Sequence, residues 1–547
     1  MMIRNAPLLS QTATSLLLLC VLLVLLIQIK TPFNFYDEGF AVFNATRIMN
    51  GDVPYKDFWA IYPPGQFYAL AALFKAFGTS LLVSRVYDTF VRFMIAFSVW
   101  LIAKKITSRT LAYFAFITTA LLLGSAGFYT YAVFPSLALS LLSILSLLEY
   151  TDTGRRYWLL LAGTLIGFAS FFRWDIGLYV SISLVATVFL FHLFRVTRES
   201  RLSTRALFAA SEIAILLGAT VTVVLTCYGY VSSVSGFGNL WDQVVIFPTT
   251  ILHDVRWRPY PALLFPIFAL SSLNISTSRS TYSELLSWLR FYFPLAVYGI
   301  AFSCYAHSIL SKRIIFNTQY FGRVAAGILG VLLFAQALSR YDYIHVVPTS
   351  LMASLVVVSL LSPNVFNSVN RAIKLVLLLL LTGLVTLYIF LPARYLSFSL
   401  RNFSPLGCYS QVERASCIPL RNDQEQAVEY IRTHTIEGES IFVGNRRHDL
   451  IFVNDIGFYF LSARQSASRY SELYPGVATT LPVQQVIAHD IESKNVKWIV
   501  LVNIPESGEP NASANSSGVS YLDDFIRSKY SLVAEFGDYQ ILEMVTR

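Results

Sequence analysis

Long runs of apolar residues dominate this chain, and charged residues interrupt them only at intervals. A helix that crosses the hydrocarbon core of a bilayer needs about 20 mostly apolar residues. Eleven segments approach that length, with ends set to within about three residues, so we predict a polytopic α-helical membrane protein. The predicted spans are residues 10–29, 82–103, 109–124, 131–149, 157–172, 176–194, 206–231, 291–310, 321–338, 345–361 and 373–392.

The content and placement of charge support this class. Only 13% of the 547 residues are charged, about half the share in soluble proteins. Residues 1–392 carry a net charge of +13 and residues 393–547 carry −4. This pattern excludes a disordered chain and an ordinary soluble enzyme, and it provides no basic stripe for nucleic acid.

The positions of basic residues predict the orientation, because Lys and Arg concentrate in cytoplasmic loops. With the N-terminus in the cytoplasm, the basic clusters all fall on the cytoplasmic side. The opposite side then receives the first loop 30–81, the segment 232–290 and the tail 393–547. The basic clusters are Lys104, Lys105 and Arg109; Arg155 and Arg156; Arg195, Arg198, Arg201 and Arg205; Lys312 and Arg313; Arg371 and Lys374.

The tail differs from the rest of the chain. Strands are predicted at 440–444, 497–503 and 539–544, and helices at 423–435, 482–493 and 521–528. We therefore divide the chain into a membrane domain, 1–392, and a small extracytoplasmic α/β domain, 393–547. Cys408 and Cys417 lie in this tail, and the sequence leaves open whether they form a disulfide.

Acidic residues are scarce among the spans, so their positions are informative. Asp37 and Glu38 follow the first span, Asp175 lies in Phe172-Arg173-Trp174-Asp175, and Asp342 lies between the ninth and tenth spans. All are predicted to lie at one membrane face. The alternative interpretation is that they are ordinary acidic residues at solvated helix ends. Asp88, inside the second span, is predicted to pair with Arg85 or Arg92.

The first loop contains more structure than a simple connection. Phe40, Phe43 and Ile48 predict a short amphipathic helix on the membrane surface, and Pro64 to Phe77 predict a second. Helices rich in aromatic residues lie at headgroup depth. The phosphate of a polyprenyl lipid would lie at that depth.

The order of these features resembles the integral-membrane glycosyltransferases of the GT-C class. It is most similar to the protein O-mannosyltransferase and aminoarabinose transferase superfamily. The resemblance rests on the acidic pair after the first span, the two loop helices with Tyr62-Pro63-Pro64-Gly65, the many spans and the α/β tail.

This resemblance implies roles for individual residues. Asp37 is expected to be the base or the group that orients the acceptor, with Glu38 beside it. Arg47 is expected on the lipid phosphate. Arg85, which opens the second span, is also expected to bind the substrate. Relatives often have a Lys where this chain has Tyr62.

The chemistry agrees with that assignment. A sugar on a polyprenyl phosphate needs charge stabilisation of its leaving group, which Arg provides as a fork. Asp37 would deprotonate an acceptor hydroxyl, and in-line displacement would give inversion. The remaining residues expected to bind substrate are Lys56, Tyr62, Arg173, Asp175, Arg340, Asp342 and His345.

Several alternatives remain open at this stage. No cofactor is firmly expected, although the Asp37–Glu38 pair could hold a divalent cation. A transporter or flippase of lipid-linked sugars is the second hypothesis, and a non-catalytic scaffold is the third. His253, Asp254, Arg256 and Arg258 could shape an acceptor groove, but a solvated loop is the preferred interpretation.

We expect a hexosyl or pentosyl glycosyltransferase in the plasma (inner) membrane, with its active site on the extracytoplasmic side. Its partners would be a polyprenyl-phosphate sugar donor, membrane lipids, and a glycan, lipid or protein acceptor.

Overall fold

The computed structural model describes residues 6–128, 130–194, 202–265, 278–310, 316–367 and 369–545. Helices dominate the part of the chain before residue 403. They are α1 Ala6–Leu26, α2 Asp37–Met49, α3 Gly65–Phe77, α4 Leu81–Ile106, α5 Arg109–Gly124, α6 Val133–Thr153, α7 Tyr157–Phe172, α8 Trp174–Phe194, α9 Leu202–Ser235, α10 Phe237–Trp241, α11 Phe247–Thr249, α12 Ile251–Arg256, α13 Ser278–Leu310, α14 Thr318–Ser339, α15 Tyr343–Leu360, α16 Pro363–Phe366, α17 Arg371–Val385 and α18 Leu391–Asn402. Single π-helical turns follow α10 at Asp242–Ile246 and α17 at Thr386–Phe390.

Each of the eleven predicted spans corresponds to a helix. In the described residues, eight helices are long and apolar enough to cross a membrane, and α1, α5 and α7 are shorter apolar helices. The chain is therefore a multi-pass membrane protein, while its orientation stays a prediction. Of the basic clusters used for that prediction, Arg195, Arg198, Arg201, Lys312 and Arg313 lie outside the described residues.

The helical bundle packs around α15, whose residues 346–360 are all buried. Small residues allow close helix contacts, because a Cβ at Gly163 of α7 would lie 2.2 Å from the carbonyl oxygen of Leu216 in α9. Asp88 pairs with Arg92 at 2.7 Å, so of the two predicted partners Arg92 is correct. Arg92 also donates to the carbonyls of Leu123 and Gly127, which ties α4 to the end of α5.

Both helices predicted in the first loop are present as α2 and α3. The prediction that α2 lies on the membrane surface is wrong, because its residues 38–46 are buried on every side. Its Gly39 contacts Gly457 of the tail so closely that a Cβ would lie 2.6 Å from that backbone. The helix is therefore enclosed between the bundle and the tail.

The tail is a small α/β domain. Its five-stranded sheet has the order β2-β1-β3-β5-β4. Strand β1 runs parallel to β2 and β3, while β5 is antiparallel to β3 and β4. The elements are β1 Ser440–Asn445, β2 Gln465–Ser466, β3 Trp498–Val502, β4 Tyr530–Phe536 and β5 Tyr539–Met544, with helices α19 Asn422–His434, α20 Gly457–Ser462, α21 Leu481–Ser493 and α22 Tyr521–Lys529.

The three predicted strands and three predicted helices of the tail are present. The sequence missed β2, β4 and α20. Strand β4 is an edge strand whose Leu532 and Val533 are exposed.

A disulfide between Cys408 and Cys417 closes a loop at the entrance of the tail. This loop docks onto the end of α1: Lys30 Nζ donates to the Ser416 carbonyl at 2.6 Å, and the Phe33 amide donates to the Pro419 carbonyl at 3.0 Å. The division into domains 1–392 and 393–547 stays a proposal.

Candidate active site

Asp37 is the first residue of α2, and a local turn fixes its position. The Asn34 side-chain oxygen accepts from the backbone amides of Tyr36 at 3.0 Å and Asp37 at 2.9 Å. The Asn34 amide donates to Asp37 Oδ2 at 3.2 Å. The carboxyl group is half-buried, so it remains accessible while its direction is constrained.

The surroundings make Asp37 more basic than an ordinary aspartate. Burial raises its pKa, and hydrogen bonds from Asn34 and Tyr131 and the charge on Arg256 only partly offset that effect. The nearby carboxylate of Asp342 raises the pKa of Asp37 further. A raised pKa favours the acceptance of a proton, as a general base requires.

Glu38 points away from Asp37 and into the protein. Both Glu38 and Arg85 have fully buried side chains. Glu38 accepts from Arg85 Nε and Nη2, each at 2.8 Å. Arg85 Nη1 donates to the carbonyls of Ile29 at 2.9 Å and Thr31 at 2.7 Å. The pair holds α2 and α4 to the end of α1.

This arrangement corrects two expectations and bears on one open alternative. Glu38 is not placed to act on substrate, and Arg85 is not placed to hold a lipid phosphate, because each is engaged by the other away from solvent. The adjacent Asp37 and Glu38 carboxylates face different partners, so they do not form a two-carboxylate cation site. No group of three or more His, Cys, Asp or Glu side chains that could hold a metal ion occurs in the described part of the chain.

Arg47 also lies away from Asp37. Arg47 is ten positions along the same helix, about 15 Å away at 1.5 Å per residue. It pairs with Asp52 at 2.7 Å and donates to the Asp57 carbonyl at 2.8 Å. Arg47 therefore binds residues of the first loop instead of the expected lipid phosphate. Lys56, in the same loop, is exposed to solvent.

Tyr62 and Arg173 do come together near Asp37. The Arg173 guanidinium lies 5.7 Å from the centre of the Tyr62 ring. Arg173 forks onto Asp175 at 2.9 and 2.7 Å, and Gln336 donates to Asp175 at 3.2 Å. Burial raises the pKa of Tyr62 to about 12 despite the charge on Arg173, so its hydroxyl remains a donor.

Asp342 and His345, both predicted to bind substrate, lie at the start of α15. Asp342 caps that helix by accepting from the His345 amide at 3.0 Å, and it also accepts from His345 Nδ1 at 2.7 Å. Burial opposes ionisation of Asp342, but these bonds and the charges on His345 and Arg340 outweigh it and lower the pKa to about 2. Asp342 therefore remains a fixed negative charge near Asp37.

Arg340 forms its ion pair with a carboxylate of the tail. Its guanidinium forks onto Glu509 at 2.9 and 2.7 Å and donates to the Arg256 carbonyl at 2.6 Å. Its Nε lies 3.4 Å from Asp342 Oδ2. This predicted substrate-binding residue is thus neutralised by carboxylates, and it ties the tail loop to the connection between α14 and α15.

The residue that the sequence analysis assigned to a solvated loop, Arg256, is central to the site. His253 and Asp254 beside it are exposed as expected, but Arg256 is buried. It donates to the hydroxyls of Tyr474 and Tyr36, each at 3.1 Å, and to the Phe452 carbonyl at 2.8 Å.

All of these Arg256 partners are uncharged. Among the described residues, no carboxylate lies within ion-pair distance of Arg256. Its positive charge acts on the nearby Asp37 and Glu472 carboxyls without a direct ion pair, and it lowers the pKa of each.

Tyr36, Glu472 and Tyr474 complete the surroundings, and the sequence analysis did not select them. Tyr36 donates to Glu472 Oε1 at 2.8 Å. A run of aromatic and acidic residues in the tail, Ser471-Glu472-Leu473-Tyr474, carries no motif. Only the approach of the tail to the first loop gives these residues a place in the site.

The overall fold is that of GT-C glycosyltransferases. ArnT from Cupriavidus metallidurans, solved bound to undecaprenyl phosphate, has a TM-score of 0.54 and 13% identity over 98% of each chain. The Archaeoglobus fulgidus oligosaccharyltransferase has a TM-score of 0.49 and 14% identity over 89% of this chain and 68% of its own. The mycobacterial arabinofuranosyltransferase AftD has a TM-score of 0.45 and 12% identity over 97% of this chain and 40% of its own.

No protein-family model and no curated protein sequence matches the chain. At 13% identity, the likeness to ArnT is one of fold.

Proposed function

We propose that this protein is a glycosyltransferase that moves a sugar from a polyprenyl-phosphate donor to an acceptor hydroxyl with inversion. The observation that carries the proposal is a half-buried, unusually basic Asp37 beside Arg256, an arginine with uncharged partners only. The fold shared with ArnT, which was solved with undecaprenyl phosphate, supports a lipid-linked donor.

In the proposed reaction, Asp37 accepts the proton of the acceptor hydroxyl while that oxygen forms a bond to the anomeric carbon. The bond from the anomeric carbon to the phosphate oxygen breaks, and its electron pair leaves with the lipid phosphate. A positioned base contributes about 10²–10⁴ in rate. Arg256 stabilises the charge that develops on the leaving phosphate.

Tyr62 is the second phosphate-side group in this proposal, because its hydroxyl stays protonated at neutral pH. Arg173 and Asp175 form a closed pair with each other, so we assign them to holding Tyr62 in place. His345 acts through Asp342, which it holds by two hydrogen bonds. Arg340 positions the Arg256 segment through the carbonyl of Arg256.

The proposal includes a location. The basic clusters predict that the first loop and the tail face the extracytoplasmic side, and the plasma (inner) membrane is the proposed compartment. The membrane domain, 1–392, would hold the lipid, and the tail, 393–547, would cover the site. Whether the sugar is a hexose or a pentose, and whether the acceptor is a glycan, lipid or protein, is for the assay to establish.

A transporter is the alternative, and intramembrane ionisable residues would favour it. The Asp88–Arg92 pair lies inside a span, but Arg92 is bound to two backbone carbonyls as well. These contacts hold α4 to the end of α5, so the pair has a structural role and does not favour the transporter hypothesis.

The test is transfer of radiolabelled sugar from a panel of polyprenyl-phosphate donors, in membranes that contain wild type or Asp37→Asn. We expect transfer by wild type and a loss of about 10²–10⁴ in Asp37→Asn. Asp254→Asn is the matched control, because Asp254 is exposed beside Arg256. Undiminished transfer by a folded Asp37→Asn would exclude Asp37 as the base, and transfer by neither protein from any donor would turn the question to a flipping assay.

A further inference from the structure

Glu472 brings a carboxyl group of the tail to the start of the catalytic helix. Its Oε1 accepts from the Tyr36 hydroxyl at 2.8 Å, and Tyr36 directly precedes Asp37. The Glu472 side chain is 2% exposed. A group 436 positions along the chain from Tyr36 therefore becomes part of the same site.

The backbone on either side of Glu472 is fixed. The buried Asn454 side chain donates to the Ser471 carbonyl at 2.9 Å and accepts from the Leu473 amide at 3.0 Å. The same segment is tied to the first loop, because the Trp59 amide donates to the Arg469 carbonyl at 3.0 Å. The position of Glu472 relative to the first loop is thus determined on both sides.

The second carboxyl oxygen of Glu472 has no such partner. Oε2 is buried and lacks a hydrogen bond within the described part of the protein. Arg256 is near enough to lower the pKa of Glu472, but its donors are directed to Tyr474, Tyr36 and a backbone carbonyl. Leaving a buried polar atom unpaired is unfavourable, so a ligand that pairs with this oxygen would be stabilised by the new hydrogen bond.

Glu472 and Asp37 lie within electrostatic range of each other. The charge on Asp37 raises the pKa of Glu472, and both carboxyls raise the pKa of Tyr62. Tyr62 lies beside Arg173 on the bundle side, while Glu472 approaches from the tail. Groups from the bundle and from the tail thus lie near the proposed base.

We propose that Glu472 is a positioning residue whose free carboxyl oxygen hydrogen-bonds a carbohydrate hydroxyl held beside Asp37. This inference rests on the proposed glycosyl transfer. The hydroxyl belongs either to the transferred sugar or to the acceptor, and kinetics with each substrate varied separately distinguish the two. The tail is then part of the substrate-binding site as well as its cover.

The protonation state gives the proposal a second readout. Burial raises the pKa of Glu472 to about 8, and Asp37 adds to this rise, while Tyr36 and Arg256 oppose it. The carboxyl is therefore neutral at pH 7 and can donate as well as accept a hydrogen bond. Asp37, Tyr36, Tyr62, Arg256 and Tyr474 are the titratable or charged side chains identified around it.

The test compares wild type with Glu472→Ala and Glu472→Gln in the same transfer assay. A glutamine resembles the neutral carboxyl, so we expect Glu472→Gln to keep the wild-type KM at pH 7. Glu472→Ala should raise the KM of one substrate about tenfold, with kcat changed little. Wild type should lose kcat/KM above pH 8, and Glu472→Gln should not show that loss.

Glu425→Gln and Glu425→Ala are the matched controls, because Glu425 bonds Ser410 and Gln411 within the tail. An unchanged KM for both substrates in Glu472→Ala would overturn the inference, and so would an equal defect in the Gln and Ala variants at every pH. A wild type that transfers no sugar would instead overturn the proposed function, so the two failures are distinguishable.

Discussion

Breaking the Glu38–Arg85 pair provides a direct test of its structural role. Both side chains are fully buried, and two contacts of 2.8 Å join them. Glu38→Gln keeps the size of the side chain but leaves the Arg85 charge without its counter-charge. Breaking a buried pair from one side costs about 3–5 kcal/mol, so we expect a loss of that size in the free energy of unfolding.

The double variant Glu38→Gln/Arg85→Met should recover part of this loss, because no unpaired charge remains. Recovery should be incomplete, since the carbonyls of Ile29 and Thr31 lose their donor. Glu149→Gln is the matched control: Glu149 pairs with Lys105 at 2.9 Å with both side chains partly exposed. It should cost less than about 1 kcal/mol.

The assay is unfolding by a denaturing detergent in mixed micelles, followed by circular dichroism, with transfer measured on the folded fraction. Folded Glu38→Gln should retain transfer within about tenfold of wild type, because the pair does not touch substrate. If Glu38→Gln were as stable as Glu149→Gln, the energetic argument would fail. If it were stable and inactive, Glu38 would have a catalytic role and the positioning assignment would be wrong.

Three further predictions follow from the same structure. Arg256→Gln should lower kcat/KM for the lipid donor about 10–100-fold, the size of a lost charge-assisted contact; a defect only in the KM of the acceptor would contradict the phosphate assignment. Replacing Cys408 and Cys417 by serine should lower the free energy of unfolding of the tail by about 2.5–3 kcal/mol, because their loop is short; an unchanged denaturation midpoint would contradict this. Burial raises the pKa of Asp455 to about 6 and of Glu472 to about 8, so the folded tail binds these protons more tightly than the unfolded chain. The free energy of unfolding of the tail should therefore fall as the pH rises from 5 to 8. An increase across that range in denaturant titrations would refute the linkage.

Local patterns in the sequence were sufficient for most of the fold. The apolar segments predicted the helices of the bundle, since a span must satisfy its own backbone hydrogen bonds. Prolines and aromatic residues predicted α2 and α3, and short apolar runs predicted β1, β3 and β5. Strand β4 was missed although Tyr530, Leu532, Ala534 and Phe536 alternate along it, and it lies at the edge of the sheet with most of its residues exposed.

The sequence was less informative about the site. Scarcity of acidic residues among the spans selected Asp37, Asp175 and Asp342, and the structure places Asp342 within electrostatic range of Asp37. The same scarcity also selected Glu38. Its partner Arg85 lies 47 positions away in the chain, and this pairing shows that Glu38 has a structural role. An acidic side chain next to a span has the same sequence signature whether it faces substrate or a buried arginine.

The sequence by itself determined the class of the protein, the positions of its membrane helices and the α/β character of its tail, because these depend on local hydrophobicity and periodicity. The tertiary structure alone decided which charges are neutralised. Arg47, Arg85, Arg173 and Arg340 are all paired with carboxylates, whereas Arg256 has uncharged partners. Two of those pairings, Arg85 with Glu38 and Arg340 with Glu509, join residues far apart in the chain. The free energy of a charge depends on its neighbours in space, which the sequence does not give for such pairs.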